Sequence, residues 1–168
     1  VQEQCPDMLV GAQCATWEAC EKAAESGAQF LTTPGYSEKI VAWCDERGIP
    51  VIPGCVTPSE IMAATVQGVR IVKFFPAEAF GGMKTLASLA EVFEGVKFLP
   101  CGGIDNENLA DYVEAPFVQA VGGSWLCTAG DIAARSFEAV TERCKAARAI
   151  VLGFTLGHVG VNAANAEE

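Results

Sequence analysis

One pattern recurs along the chain and predicts its fold class. A stretch with helical spacing of apolar residues ends in glycine, a short apolar run follows, and a turn signal closes the run. Gly27, Gly48, Gly68 and Gly95 mark these helix ends and lie 21, 20 and 27 residues apart, about one strand and one helix each. The apolar runs are continuous, as in parallel strands buried on both faces. The pattern therefore predicts an α/β fold.

Six strand-helix units are predicted in this way. We expect strands at Met8–Gly11, Phe30–Thr33, Val51–Ile52, Ile71–Phe75, Lys97–Leu99 and Val118–Val121. We expect helices at about 16–26, 37–47, 58–67, 83–93, 106–114 and 131–148. Helix starts are marked by Thr57-Pro58-Ser59-Glu60, which reads as a capping box with proline at the first helical position. Thr128 with Asp131, Ser37 and Asp105 are further candidate caps.

Strict alternation of strands and helices leaves two architectures open. One is a doubly wound open sheet, and the other is six of the eight units of a (β/α)8 TIM barrel. A complete barrel needs about 200 residues or more, whereas this chain has 168 and begins with Val1. For the barrel, we therefore expect the first two βα units to precede Val1.

Charge and cysteine content exclude several classes of function. The net charge is −10, with 21 acidic against 11 basic side chains, which argues against binding to nucleic acid or to an anionic membrane. The eight cysteines form no C-x-x-C pair and there is one histidine, so we expect no metal site. Scattered cysteines among apolar residues are typical of reduced, buried thiols in a cytoplasmic protein. No signal peptide and no membrane-length apolar run is visible.

A lysine in the middle of a predicted buried strand is the first candidate for chemistry. Within Ile71–Phe75, alternation places Ile71, Lys73 and Phe75 on one face. An amine there is costly to bury. It could reach water or pair with a carboxylate, or it could be a desolvated amine with a lowered pKa that attacks a carbonyl group.

Two glycine turns follow the last two predicted strands. Cys101-Gly102-Gly103 follows one strand, and Gly122-Gly123-Ser124 follows the next. Backbone N–H groups at such turns can bind a phosphate, and barrels commonly bind phosphate after their last two strands. One such turn is weak evidence, because tight turns need glycine in any case.

Several motifs occur in the same order as in one known family. The chain resembles the 2-dehydro-3-deoxy-6-phosphogluconate (KDPG) and 4-hydroxy-2-oxoglutarate (KHG) aldolases from about Val10 to Ala149. The Lys-Phe-Phe-Pro-Ala-Glu run at 73–78 is specific to that family. The other matching stretches are Val10-Gly11-Ala12, Gly27-Ala28-Gln29-Phe30, Thr33-Pro34-Gly35, 49–54, Gly102-Gly103-Ile104 and 122–126.

The resemblance implies a TIM barrel and a class I aldolase without a cofactor. It implies that Lys73 forms an imine with the keto acid, and that pyruvate and an aldehyde are released, as in the Entner-Doudoroff pathway. A cytoplasmic homotrimer acting on a small keto-acid phosphate is expected. Residues implied to bind substrate or its phosphate are Pro34, Phe75, Cys101, Gly102, Gly103, Gly122, Gly123 and Ser124, and Cys14 is a candidate for the pyruvate pocket.

Three departures from the family pattern bear on these expectations. Gln13-Cys14 stands where the family has Gly-Thr, and Cys101 stands where it has Thr. A thiol is a weaker donor than a hydroxyl group. The family's catalytic glutamate and a carboxylate-binding arginine are expected before Val1. Glu78 matches the motif, but a structural role is at least as good an interpretation. The alternative to the lyase is a non-catalytic phosphate-binding fragment without its general base.

The end of the chain resembles a different domain. We expect residues 1–149 to form the partial aldolase barrel, and residues 150–168 to form a linker and the first strand of a truncated glyoxalase-like domain. The stretch Leu156–Asn162 carries this second resemblance, and His158 matches a metal ligand there. Without further histidines in this chain we expect no metal to bind.

Overall fold

The computed structural model describes residues 5–153, along which parallel strands alternate with helices. The strands are β1 (Gly11–Gln13), β2 (Phe30–Thr32), β3 (Val51–Ile52), β4 (Ile71–Phe74) and β5 (Lys97–Pro100). The helices are α1 (Trp17–Glu25), α2 (Glu38–Glu46), α3 (Pro58–Val66), α4 (Gly82–Val92), α5 (Leu109–Val113), α6 (Ala129–Ala134) and α7 (Phe137–Leu152). The predicted α/β class is confirmed.

The strands follow one another in chain order. β1, β2 and β3 form one parallel sheet, and β4 and β5 form another. A parallel bridge between Gly54 and Lys73 links the two sheets, with Lys73 N donating to Pro53 O at 2.8 Å. A doubly wound sheet reverses its strand order, and no such reversal occurs among the described strands. The carboxyl ends of all five strands therefore lie along one edge.

Local sequence signals place most helix starts where they were predicted. Thr57 forms the capping box with Glu60, Thr128 forms one with Asp131, and the Ser37 hydroxyl accepts from an N–H in the first turn of α2. Asp105 does not cap α5, which begins later than predicted. Its carboxylate instead accepts from Glu107 N at 2.8 Å, closing the turn before the helix.

The first strand lies further along the chain than predicted. β1 starts at Gly11, because Gly11 pairs with Phe30 and the Phe30 ring lies across it: a Cβ on Gly11 would be 2.2 Å from that ring. Met8 and Leu9, which were predicted to lie in the strand, precede it and are 54% and 75% exposed. Hydrophobicity alone therefore misplaced the strand.

The sixth predicted strand, Val118–Val121, does not form a continuous strand. Val118 bridges to Phe98 and Gly122 bridges to Cys101, both in parallel. Gly122 is four residues after Val118, whereas Cys101 is only three residues after Phe98. One extra residue interrupts a ladder in the way that a β-bulge does, so the segment pairs with β5 only at its ends.

The chain divides into two compact units, with the boundary between Trp125 and Leu126. In the second unit, the single helix predicted at 131–148 is two helices, because Arg135 adopts the left-handed conformation (φ 54°) and ends α6. Arg143 on α7 contacts the Asp131 carboxylate at 2.6 Å. α7 runs through the predicted boundary at 149. The glyoxalase-like stretch with His158 lies outside the described residues and stays a prediction.

A hydrophobic cluster packs α1 and α2 against β1 and β2. Its buried members are Cys14, Cys20, Leu31, Ile40, Trp43 and Cys44. Cys5, Cys127 and Cys144 are exposed, so the expectation that the cysteines are buried is wrong for these three. Within residues 5–153, no helix has the length and apolar character to cross a membrane, and no group of side chains is suited to hold a metal ion.

Candidate active site

Lys73 is a buried amine in the middle of β4. Its neighbours Val72 and Phe74 are fully buried, and Lys73 itself is 3% exposed. Its Nζ donates a hydrogen bond to Gln13 Oε1 on β1 at 2.5 Å and lies 4.6 Å from the centre of the Phe75 ring. No carboxylate pairs with this amine among the described residues. Of the two interpretations of the sequence, the desolvated amine therefore fits the structure.

Burial lowers the pKa of Lys73 below its ordinary value, because the low-dielectric surroundings disfavour the ammonium form. The Cys101 thiol acts in the opposite direction on the same pKa. Burial raises the pKa of Cys101, and Lys73 opposes that rise. Burial thus shifts the pKa of each group in the direction of its neutral form, and the neutral form of an amine is the one that attacks a carbonyl carbon.

Lys73 lies in a cavity of about 480 Å³ at the carboxyl ends of the strands. The wall is formed by one face of β1, β2, β4 and β5 together with the two glycine turns. The lining residues are Gln13, Phe30, Thr32, Lys73, Phe75, Leu99, Cys101, Gly102, Gly122, Gly123 and Ser124. Both turns are therefore brought to the same cavity as the amine.

The two glycine turns are held together by backbone and side-chain contacts. Cys101 bridges to Gly122, and the Trp125 indole donates to Asn106 Oδ1 at 3.1 Å. Within residues 5–153, the N–H groups of Gly102, Gly103, Gly123 and Ser124 donate to no other group of the chain. Several N–H donors on adjacent turns, together with the Ser124 hydroxyl group, are suited to bind an anion such as phosphate.

Glycine is required at these turns for space as well as conformation. A Cβ on Gly122 would be 2.3 Å from Cys101 Sγ, and a Cβ on Gly103 would be 2.6 Å from Glu78 Cβ. Gly103 also has φ of 80°, which side chains rarely adopt. A side chain on Gly122 would push the two turns apart, and a side chain on Gly103 would collide with Glu78.

Three residues expected at the site lie away from the cavity wall. Cys14 is buried in the hydrophobic cluster on the opposite face of β1 from Gln13. Pro34 packs its backbone against Gly54, where a Cβ would be 2.2 Å from the Pro34 carbonyl oxygen. Gly103 lies beside Glu78 rather than on the wall. The structure therefore brings the other expected residues together without these three.

Four cavity residues were missed in the sequence: Gln13, Phe30, Thr32 and Leu99. Gln13 pairs with Thr32 and Lys73 pairs with Leu99 in the strand ladders, so they share the inner face. Alternation along a correctly placed β1 would have indicated Gln13. Because the strand was predicted at Met8–Gly11, Gln13 fell outside it and was not recognised as a residue of the inner face.

Glu78 has a structural partner outside the cavity. Its carboxylate accepts a hydrogen bond from the hydroxyl group of Tyr112 on α5, and Tyr112 is 1% exposed. Burial, and next the Glu78 carboxylate, raise the pKa of Tyr112. Glu78 N also donates to Gly102 O at 3.1 Å. Glu78 therefore anchors α5 and the first glycine turn, in keeping with the structural interpretation.

The chain has close relatives among solved structures. A KDPG aldolase from Legionella pneumophila, with pyruvate captured as a covalent carbinolamine intermediate, superposes with a TM-score of 0.82 at 35% identity, over 87% of this chain and 71% of that one. The 2-keto-3-deoxy-6-phosphogluconate aldolase of Zymomonas mobilis with 3-phosphoglycerate gives a TM-score of 0.80 at 32% identity, over 88% and 70%.

Sequence comparison points the same way. The 2-dehydro-3-deoxy-phosphogluconate aldolase of Treponema pallidum is 44% identical over 142 residues, which cover 84% of this chain and 68% of that protein. The family model described as KDPG and KHG aldolase matches residues 1–143. With its buried lysine and paired glycine turns at one cavity, the chain belongs to the KDPG and KHG aldolase family.

Proposed function

We propose that the protein is a class I aldolase that cleaves a 2-keto-3-deoxy sugar acid phosphate, or 4-hydroxy-2-oxoglutarate, to pyruvate and an aldehyde. The proposal rests on one observation. The amine of Lys73 is buried, pairs with no carboxylate among the described residues, and lies in the same cavity as the two glycine turns. The relatives named for KDPG cleavage support the substrate class.

The chemistry requires a neutral amine and an electron sink. Lys73 Nζ attacks the C2 carbonyl carbon of the substrate, water leaves, and a protonated imine forms. When the C3–C4 bond breaks, its electron pair moves through C3 to the imine nitrogen, the C4 hydroxyl group loses its proton, and the aldehyde departs. Protonation at C3 and hydrolysis of the imine then release pyruvate and restore the amine.

The glycine turns fit the distal end of such a substrate. Gly102, Gly123 and Ser124, whose N–H groups have no partner among the described residues, line the same cavity as Lys73, and we expect a phosphate or a distal carboxylate of an imine-bound substrate to reach them. An acidic chain with a net charge of −10 needs a local set of donors to hold an anion. We infer that these turns bind the anionic group farthest from the reacting carbonyl.

The wider architecture belongs to the same proposal. The sequential parallel strands support a wall of a (β/α)8 barrel, of which we assign six βα units to this chain. The homotrimer, the cytoplasmic location and the Entner-Doudoroff role stay predictions from the family resemblance.

Trapping with pyruvate tests the proposal directly. The protein is incubated with pyruvate and sodium borohydride, digested, and mapped by mass spectrometry. We expect one reduced pyruvate adduct, on Lys73, because its pKa is lowered by burial, so more of this amine is uncharged than of an exposed lysine.

Lys73→Met and Lys97→Met form a matched pair of variants on neighbouring strands. Lys97 is exposed and its Nζ donates to Pro116 O at 2.7 Å, outside the cavity lining. Lys97→Met should keep the adduct and Lys73→Met should lose it. An adduct on Lys84 or Lys97 with Lys73 unmodified would contradict the assignment.

A further inference from the structure

Gln13 reaches across the cavity from β1 to the amine on β4. The two residues are 60 positions apart in the chain, and Lys73 Nζ donates to Gln13 Oε1 at 2.5 Å. The hydrogen bond therefore joins two strands of the cavity wall at the amine.

The backbone fixes the place from which the Gln13 side chain extends. Gln13 pairs with Thr32 at the last position of β1, and the next residue donates from Cys14 N to Thr32 O at 2.8 Å. Alternation turns Cys14 into the hydrophobic cluster, so Gln13 must face the cavity. Gln13 is thus held by a strand rather than by a loop.

A neutral amide suits an amine that must stay uncharged. The amide oxygen accepts one N–H of the amine, which restricts the directions in which the nitrogen lone pair can point. A carboxylate at the same place would hold Nζ equally well but would favour the ammonium form. After imine formation a single N–H remains on the nitrogen, and the same oxygen can accept it.

We propose that Gln13 is a positioning residue for Lys73: its amide oxygen orients the amine toward the substrate carbonyl and later holds the imine N–H. This inference rests on the proposed aldolase function. It adds a residue from β1 to the reacting centre without adding charge.

Few titratable groups face Lys73. Cys101, at the end of β5, is the titratable group whose charge acts on Lys73 among the described residues. Cys55 donates its backbone N–H to Lys73 O at 2.8 Å, and its thiol interacts electrostatically with Glu60 instead. A Cys101→Thr background therefore removes the titratable group whose charge acts on the pKa of Lys73.

A neutral reagent measures the titration of Lys73 without involving substrate charge. In the Cys101→Thr background, the rate of arylation of Lys73 by 1-fluoro-2,4-dinitrobenzene is followed against pH by peptide mass spectrometry. Gln13→Glu, which keeps the shape, should move the midpoint up by about one pH unit, because the carboxylate favours the ammonium form. Gln13→Leu should move it down, because the ammonium form loses its acceptor.

Orientation is read separately, by pyruvate and borohydride trapping at a pH above every midpoint. There Gln13→Leu should form the Lys73 adduct about tenfold more slowly although its amine is uncharged, since a poorly oriented nucleophile reacts more slowly. The control is Gln29→Glu: Gln29 lies before β2 at the opposite end of the strands, where its Oε1 accepts from Val10 N at 2.8 Å. Gln29→Glu should change neither the midpoint of arylation nor the rate of pyruvate trapping.

The outcomes separate the two proposals. An unchanged arylation midpoint in both Gln13 variants, with trapping at the parent rate, would overturn the role of Gln13. Shifted midpoints with no pyruvate adduct even in the parent would instead remove the aldolase function and leave the coupling between Gln13 and Lys73 in place. Circular dichroism identifies any variant that fails to fold. If Gln13→Leu fails to fold, Gln13→Asn, whose amide is one methylene shorter, replaces it in the trapping experiment.

Discussion

Ser124 contributes a side chain to a cavity end that is otherwise lined mainly by backbone. It follows Gly122 and Gly123 on the wall and is exposed, so its hydroxyl group is available to a bound anion. The glycines contribute N–H groups and space. Removal of the serine hydroxyl therefore tests anion binding without blocking the approach of the backbone to a ligand.

Ser124→Ala should raise KM for the phosphorylated keto acid by about tenfold, since a hydrogen bond to a charged group contributes about 1.5–3 kcal/mol. KM for an unphosphorylated keto acid that cannot reach the turn should change little. Steady-state kinetics with both substrates measure the difference. Ser88→Ala is the control, because the Ser88 hydroxyl donates to Lys84 O on the exposed face of α4. Equal losses with both substrates would indicate a folding defect instead.

Among the helices, α3 shows how a local signal sets a helix start. The Thr57 hydroxyl accepts from Glu60 N at 3.3 Å, and the Glu60 carboxylate accepts from Thr57 N at 2.9 Å. Pro58 occupies the first helical turn, where its missing N–H costs nothing. The segment before α3 carries Cys55, which pairs with β4 at Lys73. The cap thus fixes a helix next to the site.

Thr57→Ala should lower the free energy of unfolding by about 0.5–2 kcal/mol, because it removes the cap from the first turn of α3. Urea unfolding followed by circular dichroism measures the change. Thr65→Ala, in the last turn of the same helix, is the matched control: its hydroxyl only donates to Met62 O at 2.9 Å. It should change stability by less than about 0.5 kcal/mol. Equal effects of the two substitutions would show that the cap contributes no particular stability.

Across the chain, the eight cysteines differ sharply in surroundings. Three are exposed and four are buried, and Cys101 is intermediate between them. Burial raises the pKa of Cys20 to about 12, of Cys44 to about 11 and of Cys55 to about 12. The thiolate is the reactive form of cysteine, so burial slows the reaction of these thiols in two ways: it limits access of a reagent and it raises the pKa.

Reaction of the native protein with Ellman's reagent at neutral pH should therefore give three fast thiols, the exposed Cys5, Cys127 and Cys144. Cys101 should react more slowly, and the remaining four only after unfolding in guanidinium chloride, when all eight react. Alkylation followed by peptide mapping identifies each thiol. A fast thiol at Cys14, Cys20, Cys44 or Cys55 would show that the core opens readily.

Short-range features could be predicted because their causes are local. A capping box needs only Thr57 and Glu60, three residues apart, and a glycine after a helix needs only its own backbone conformation. Lys73 stood out because a charge within an apolar run is costly wherever the run is buried. Left-handed Arg135 gave no such signal, since few non-glycine residues adopt that conformation.

Side-chain order along the chain determined the α/β class, the caps of α2, α3 and α6, the buried amine and the glycine turns, since each depends on neighbours within one element. Strand pairing decided the rest. The start of β1 depends on Phe30 covering Gly11, and the interrupted sixth strand depends on its register with β5. The contact of Gln13 with Lys73 joins residues 60 positions apart. A one-residue slip moves a strand's side chains to its other face, so only the assembled sheet could place Gln13 in the cavity and Cys14 in the core.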